Sequence, residues 1–303
     1  MGTFLYSGVL AALVVQAPAA DSLRAGLWTR VAADSTDGSA WIEIGRSYAQ
    51  LAGGYHAHRG AADTAWLRAV LDTADQAFGR AIQWSAGTRT ADSAKVFRMY
   101  TWGAKAYLAW ELGGSVAATT VWQSLPETLR FPPVLEELGE NLLRACPRHG
   151  VLLTADDADT HAAWYMRFAR GLRPDVLVLP LARWRADSVF RGRVLRELRL
   201  RGATLRTFAE RRPVCATMAF ERAPDVPGIR WATRPLVWVA GPEAKGDRVP
   251  PQDFVFAALR LAVDQHEAWG APALALYRRA AGKTSGLCGS LRTYGVRDEV
   301  GCR

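Results

Sequence analysis

Residues Val151 to Leu181 constrain this chain more than any other stretch. An apolar run, Val151 to Ala155, breaks into the carboxylates Asp156, Asp157 and Asp159. A segment with apolar residues at helical spacing follows (Ala162, Trp164, Tyr165, Phe168, Leu172), and a second apolar run covers Val176 to Leu179. Two short buried strands joined by a helix make one βαβ unit. An acidic loop leaving the carboxyl end of a buried strand stands where open α/β sheets place ligands. Any chemistry in this chain is therefore expected at Asp156, Asp157 and Asp159.

After that unit, Ser188 to Leu200 reads as a helix with Val189, Phe190, Val194, Leu195 and Leu198 on one face. Arg212 to Met218 reads as a third strand, Leu236 to Ala240 as a fourth and Phe254 to Glu267 as a last helix. Upstream, Val134 to Cys146 places Leu135, Leu138, Leu142 and Leu143 on one helical face. Alternating strands and helices predict a small Rossmann-like parallel or mixed sheet with flanking helices, over residues 134–270.

Residues 35–125 differ in texture, being rich in Ala, Trp and Tyr at helical spacing. Trp41, Ile44, Gly45 and Tyr48 match the first helix of a tetratricopeptide repeat, and Ala74, Phe78 and Ala81 match its second. A further helix carries Phe97, Tyr100, Gly103, Tyr107 and Trp110, ends at Gly113-Gly114, and gives way to another over Val116 to Leu125. Small residues where helices approach and large aromatics between them predict tetratricopeptide-like helical hairpins. A plain helical bundle with bulky core residues is the other reading of the same pattern. Residues 126–133, with Phe131-Pro132-Pro133, read as a linker. Residues 271–303, with Gly286, Gly289, Gly295 and Gly301, read as a glycine- and cysteine-containing tail.

With 303 residues, half of them hydrophobic, the chain is long enough to bury two cores. The formal charge of +9 comes from scattered arginines, since only four of the 38 basic residues are lysines and no Lys/Arg run exceeds two. Nucleic-acid binding, which needs a basic stripe interleaved with aromatics, is not expected. The charge suits an anionic membrane surface or an acidic partner.

Residues 1–20 read as a signal-like or membrane-associating segment. Phe4 to Val15 supplies an apolar core and Ala17-Pro18-Ala19 a small-x-small cleavage pattern, but no Lys or Arg precedes Arg24. The four cysteines, Cys146, Cys215, Cys288 and Cys302, fit an exported protein in an oxidising compartment and allow three pairings. A Cys288 to Cys302 bond is the most useful of them, because the tail has little apolar content to hold it down. No CxxC pair occurs, and His56, His58, His149, His161 and His266 are not at ligand spacing to the cysteines.

The acidic loop admits two roles. As a ligand or metal site, Asp156, Asp157 and Asp159 would offer oxygens to a divalent cation such as Mg or Ca that neutralises a sugar phosphate, with Thr160 beside them and His161 as proton donor. As structure, Asp159 or Thr160 would cap the helix through Trp164, the other carboxylates being favoured by its positive end. Structure is preferred, because the sequence shows no second acid/base cluster nearby. Arg173 and Asp175 are expected to pair and lock the turn before the second strand. No GxSxG, P-loop or strand-borne GxGxxG motif is present. The twelve tryptophans mostly fall at helical core spacing, so packing is preferred over sugar stacking.

Asn141-Leu-Leu, Pro147, Val151-Leu-Leu-Thr, Asp157-x-Asp159-Thr160, Trp164-Tyr165 and Gly171-x-Arg173-Pro174-Asp175-Val176 together resemble a family of bacterial membrane proteins. The likeness is to the soluble C-terminal domain of protein O-mannosyltransferase-like proteins, in which tetratricopeptide-like helices and this α/β domain follow many membrane spans. It covers residues 131 to 245, with Arg212-Pro213-Val214 and Leu236-Val237 at matching strands. His161 stands where that family usually has an aromatic, and Ala162-Ala163 replaces a proline-containing step. The membrane-embedded part that would transfer a sugar has no counterpart in this sequence. The resemblance thus implies an exported accessory domain and does not imply transferase activity; with repeat helices that leave a concave face for a partner, the expected role is a non-catalytic binding or scaffold subunit at the periplasmic membrane surface. Its partner would be a membrane protein complex, of envelope-glycan, respiratory or photosynthetic type, and no cofactor is expected. The rival expectation is a metal-dependent sugar-phosphate-binding protein or glycosyltransferase-related enzyme built on the acidic loop.

Overall fold

A computed structural model describes residues 21–59, 64–200, 202, 204–242, 254–267, 269–296 and 300–302, with the side chains of 54–59 and 285 left aside. The signal-like segment 1–20 lies outside the described residues, as do the side chains of His56 and His58. The chain forms two compact units, Met1–Lys105 and Ala106–Arg303.

In the first unit, helix α1 (21–33) precedes α2 (Gly38–Arg59) and α3 (Thr64–Trp84). A Cβ on Gly38 would meet Ser85, and one on Gly45 would lie 2.5 Å from the Phe78 ring, so α2 and α3 run antiparallel at close approach. Glycine at 45 lets Phe78 pack among Ile42, Ala74, Ala81 and Ala94 with no exposed surface. Burial of such a ring stabilises by roughly 2–3 kcal/mol. Asp75 on α3 binds this pair to helix α4 (Arg89–Gln123), accepting from Arg98 Nε at 2.6 Å, Trp102 Nε1 at 3.1 Å and Lys105 Nζ at 3.2 Å. The two helices expected on either side of Gly113-Gly114 are both present within α4, parted by a kink where Gly114 adopts φ 76° and ψ −163°. The boundary between the units thus falls inside α4, twenty residues before the expected end of the helical region.

The second unit is mixed α/β. Helix α5 (Pro133–Ala145) starts with proline at its first turn, where a missing N–H costs nothing, and buries Val134, Leu135, Leu138, Leu142 and Leu143. Strand β1 (Val151–Thr154), helix α6 (Asp157–Trp164), a π turn (Tyr165–Ala169) and strand β2 (Leu177–Pro180) form the expected βαβ unit. Helices α7 (Leu181–Ala186), α8 (Ser188–Glu197) and α9 (Leu205–Arg211) lead to β3 (Val214–Thr217), β4 (Ala232–Arg234) and β5 (Val237–Ala240). The five-stranded sheet has the order β2-β1-β3-β5-β4. β1 pairs in parallel with β2 and β3, while β5 is antiparallel to β3 and β4. Strands β1, β3 and β5 are buried on both faces, which is why they read as continuous apolar runs rather than alternating ones.

Segment 126–133 is packed rather than loose: Leu129 and Phe131 are buried, and Phe131 stacks on Tyr165 with ring centres 5.0 Å apart. The last helix is shorter than expected, α10 (Ala257–Asp264). Much of the glycine-containing tail is helical, as α11 (Gly270–Ala281) and α12 (Ser285–Thr293). Leu276, Tyr277, Leu287, Leu291 and Val296 are fully or nearly fully buried there, enough apolar surface to override the glycines. Glu137 on α5 starts α10 from outside by accepting from Ala258 N at 2.7 Å and Leu259 N at 2.9 Å. Asn141 completes this docking, donating to the Val255 carbonyl and the Tyr277 hydroxyl and accepting from Val255 N.

Two disulfides close the unit. Cys146–Cys215 links the end of α5 to β3 across 69 residues, and Cys288–Cys302 staples the C-terminal helices. Such bonds belong to proteins matured in an oxidising compartment. Among the described residues, no helix is long and apolar enough to cross a membrane.

Candidate functional site

The chain leaves β1 for β2 on one side and leaves β3 for β4, beyond β5, on the other, so the carboxyl ends of β1 and β3 flank a topological switch point. Ligands of open α/β sheets sit in that crevice. In this protein Asp159 sits there. Its carboxylate accepts from Ala155 N and Asp156 N, each at 2.9 Å, and from the Thr217 hydroxyl at the end of β3. Asp159 is 1% exposed, and beneath it the hydroxyls of Thr154 and Thr160 bond at 2.7 Å. Burial, helped by the nearby Asp156 charge, pushes the Asp159 carboxyl up, while its three donors pull it down.

Asp156 is the N-cap of α6. Its Oδ1 accepts from Ala158 N and Asp159 N, and Asp159 returns a bond to the Asp156 amide, forming a capping box with aspartate in place of glutamate. The cap therefore falls on Asp156, not on Asp159 or Thr160 as expected. Asp157, exposed in the first turn, faces the positive end of the helix. Among the described residues, no group of three or more His, Cys, Asp or Glu is placed to hold a metal ion.

Arg173 adopts φ 48° and forks onto Asp175, Nε to Oδ1 at 2.9 Å and Nη2 to Oδ2 at 3.0 Å. Its remaining N–H groups satisfy the carbonyls of Leu143 and Cys146 at the end of α5 and of Pro147 beyond it. Asp175 also accepts from His149 N at 2.8 Å, and the Arg173 bonds hold its carboxyl well below the usual carboxylate range. The pair closes the C-terminus of α5, and neither residue has a free valence for a phosphate.

A second polar cluster draws on elements that the sequence leaves far apart. His161 comes from α6, Arg183 from α7, Asp187 from the turn into α8, and Tyr107 and Glu111 from the part of α4 in this unit. Tyr107, Glu111 and Asp187 are buried, and Tyr107, Trp110, Trp164 and Phe190 wall the cluster with ring centres 5.3–6.4 Å apart. Asp187 caps α8, its Oδ1 accepting from Val189 N at 2.9 Å and Phe190 N at 3.0 Å. Glu111 has the Asp187 carboxyl and the Arg183 guanidinium nearby, and burial pushes its carboxyl up to about 7. The Arg183 guanidinium carbon lies 3.8 Å from the centre of the Tyr107 ring, and its Nη1 is buried without a hydrogen-bond partner among the described residues. Burial depresses the His161 imidazole, Asp157 opposing and Arg183 reinforcing the shift, so at neutral pH it carries no charge. That is the wrong form for the proton donor once expected there.

Of the residues singled out in the sequence, the fold brings Asp156, Asp159 and Thr160 together at the switch point and Arg173 to Asp175. It sends His161 instead to the cluster around Arg183. The signals that mark this cluster are local and weak: Glu111 is a lone acid in the apolar run Tyr107 to Leu112, and Asp187-Ser188 is a helix-start pair. Comparison with family models, curated proteins and solved structures finds no match to this chain.

Proposed function

We propose that this protein is a non-catalytic binding or scaffold subunit, exported to the periplasm and working at the membrane surface beside a membrane protein complex. One observation carries the reading. The crevice in which a sheet of this kind would seat a substrate is filled by the protein's own Asp159, bonded to Thr217 and to the loop amides. With Asp156 spent on the cap and Arg173 on Asp175, the acidic loop retains only Asp157 as an uncommitted carboxylate, too few for a hard cation. We therefore set the sugar-phosphate and glycosyltransferase-related reading aside.

Export is supported by the two disulfides, the buried one linking α5 to β3 and the other pinning the C-terminal helices. We read α2 and α3 as a degenerate tetratricopeptide-like hairpin, supported by their antiparallel packing through Gly45 and Phe78. We read the sheet as Rossmann-like, supported by its parallel β2-β1-β3 core. Both fit the resemblance to the soluble domain of O-mannosyltransferase-like membrane proteins, as does Asn141, whose place in that motif coincides with a buried tie between α5 and the C-terminal helices. Affinity purification of the full-length chain from native membranes, with mass spectrometry of partners and intact chain, tests the reading. A stable membrane-protein complex in stoichiometric amount is the expected result. A free monomer that turns over an activated sugar overturns it.

A further inference from the structure

We propose that an arginine-rich face of the second unit, built from the end of α8, the end of α9 and the loop 219–231, docks on the anionic phospholipid headgroups of a membrane. This rests on the membrane-surface reading above and names the part of the chain that makes the contact. The first support is charge. Residues 183–234 hold thirteen arginines and no lysine against five acids, a surplus of eight, which leaves the rest of the chain with +1 of its +9.

The fold sets these elements side by side. Trp184 of α7 packs on Phe208 of α9 with ring centres 5.4 Å apart, and Arg191 of α8 donates to the carbonyls of Trp184 and Arg185, each at 2.7 Å. The loop lies against the same helices: Arg185 Nη2 donates to the Asp225 carbonyl at 2.7 Å, and a Cβ on Gly228 would meet the Arg206 side chain of α9 at 2.8 Å. On this face Arg196, Arg199, Arg211, Arg222 and Arg230 are exposed and Arg212 is half-buried. Among the described residues none of the six has a side-chain hydrogen bond or ion pair. Arg46 and Arg144, elsewhere on the surface, each answer an acid about one helical turn away, Glu43 and Glu140. Six unneutralised like charges repel one another, and a facing polyanion relieves that repulsion.

The second support is what stands among the arginines. Val226 and Ile229 lie between Arg222 and Arg230 in the loop, and Trp231 follows, all three half-buried. Trp231 Nε1 donates to the Pro224 carbonyl at 2.9 Å and so pins the loop. Apolar and indole side chains set among guanidinium groups match a headgroup layer, with rings at the interface and guanidinium forks on phosphate oxygens. An array spread over three elements fits a continuous layer of phosphates better than a single acidic peptide.

The test is sedimentation of full-length protein with vesicles of mixed phosphatidylglycerol and phosphatidylethanolamine, and with phosphatidylcholine vesicles, at low and at physiological salt. Because the apolar segment Phe4 to Val15 can enter any bilayer, the readout is the ratio of anionic to zwitterionic binding. That ratio is expected to be about tenfold or more at low salt and to fall as salt is added. Arg196→Gln with Arg199→Gln, and Arg222→Gln with Arg230→Gln, should each lower anionic binding by about tenfold or more, at about fivefold per charge removed. Arg148→Gln with Arg292→Gln, two exposed arginines outside these elements, should change it by no more than about twofold. Equal binding to both kinds of vesicle, or an equal loss in the Arg148 and Arg292 variant, would overturn the face. A membrane-protein complex that depends on the same arginines while anionic vesicles are not bound would also overturn it, in favour of an acidic protein, and would leave the scaffold reading standing. Charge-dependent vesicle binding by a chain that purifies with no partner would support the face and remove the scaffold reading.

Discussion

Asp159 and Glu111 are buried acids of the same unit, both pushed upward by burial, yet the fold treats them oppositely. Asp159 has three donors and no hydrogen-bonded carboxyl beside it, being held by Ala155 N, Asp156 N and Thr217. Glu111 has the Asp187 carboxyl nearby, which opposes its ionised form, and the Arg183 guanidinium, which favours it. A carboxylate ringed by donors is a strut, whose removal strands every donor it satisfied. A buried carboxyl with another carboxyl nearby is a joint whose stability falls as it ionises. The difference teaches that burial alone does not mark an active acid; what matters is whether its partners donate or compete.

The contrast predicts a ranked set of effects. Asp159→Ala strands two loop amides and the Thr217 hydroxyl and removes half of the capping box, so urea unfolding is expected to show a loss of about 3–5 kcal/mol. A loss under a third of that would mean water replaces the carboxylate and the crevice is open. Thr217→Val withdraws one of three donors from the same acid while the Cys146–Cys215 bond still anchors β3. Its expected cost is about 1–2 kcal/mol, with non-additive coupling to Asp159→Asn in a double-mutant cycle.

Glu111→Gln is expected to behave in the reverse manner. Near pH 8 it removes an ionised, crowded carboxylate and should raise the urea midpoint, whereas near pH 5 it should change stability by no more than about 1 kcal/mol. A strut-like loss at both pH values would erase the distinction between the two acids. Smallest of all, Asp157→Asn on the exposed first turn of α6 should cost about 0.5 kcal/mol or less, through the helix dipole alone.

Much of the strut was legible in the sequence and almost none of the joint. Val151 to Leu179 announces its strands because each is a continuous apolar run, and Asp156 to Asp159 announces a helix start because acids cluster there. Which acid caps was not legible, since Asp156 and Asp159 differ only in the direction their side chains take. The C-terminal helices are not legible from local propensity, because the glycines disfavour them, while Leu276, Tyr277, Leu287 and Leu291 form a buried face that tertiary packing rewards. The Glu111 cluster draws on α4, α6, α7 and α8, and no pattern within one element can show that Glu111 comes under the influence of Asp187 and Arg183 more than 70 residues later.

Isothermal titration of Mg²⁺, Mn²⁺ and Ca²⁺ into the full-length protein, each with and without a nucleotide sugar, tests most directly whether the crevice is filled. With Asp159 already committed to Thr217 and the loop amides, the titrations should give no saturable heat up to millimolar ligand. Saturable binding that disappears in Asp157→Asn would contradict the account and return the acidic loop to the role of a ligand site.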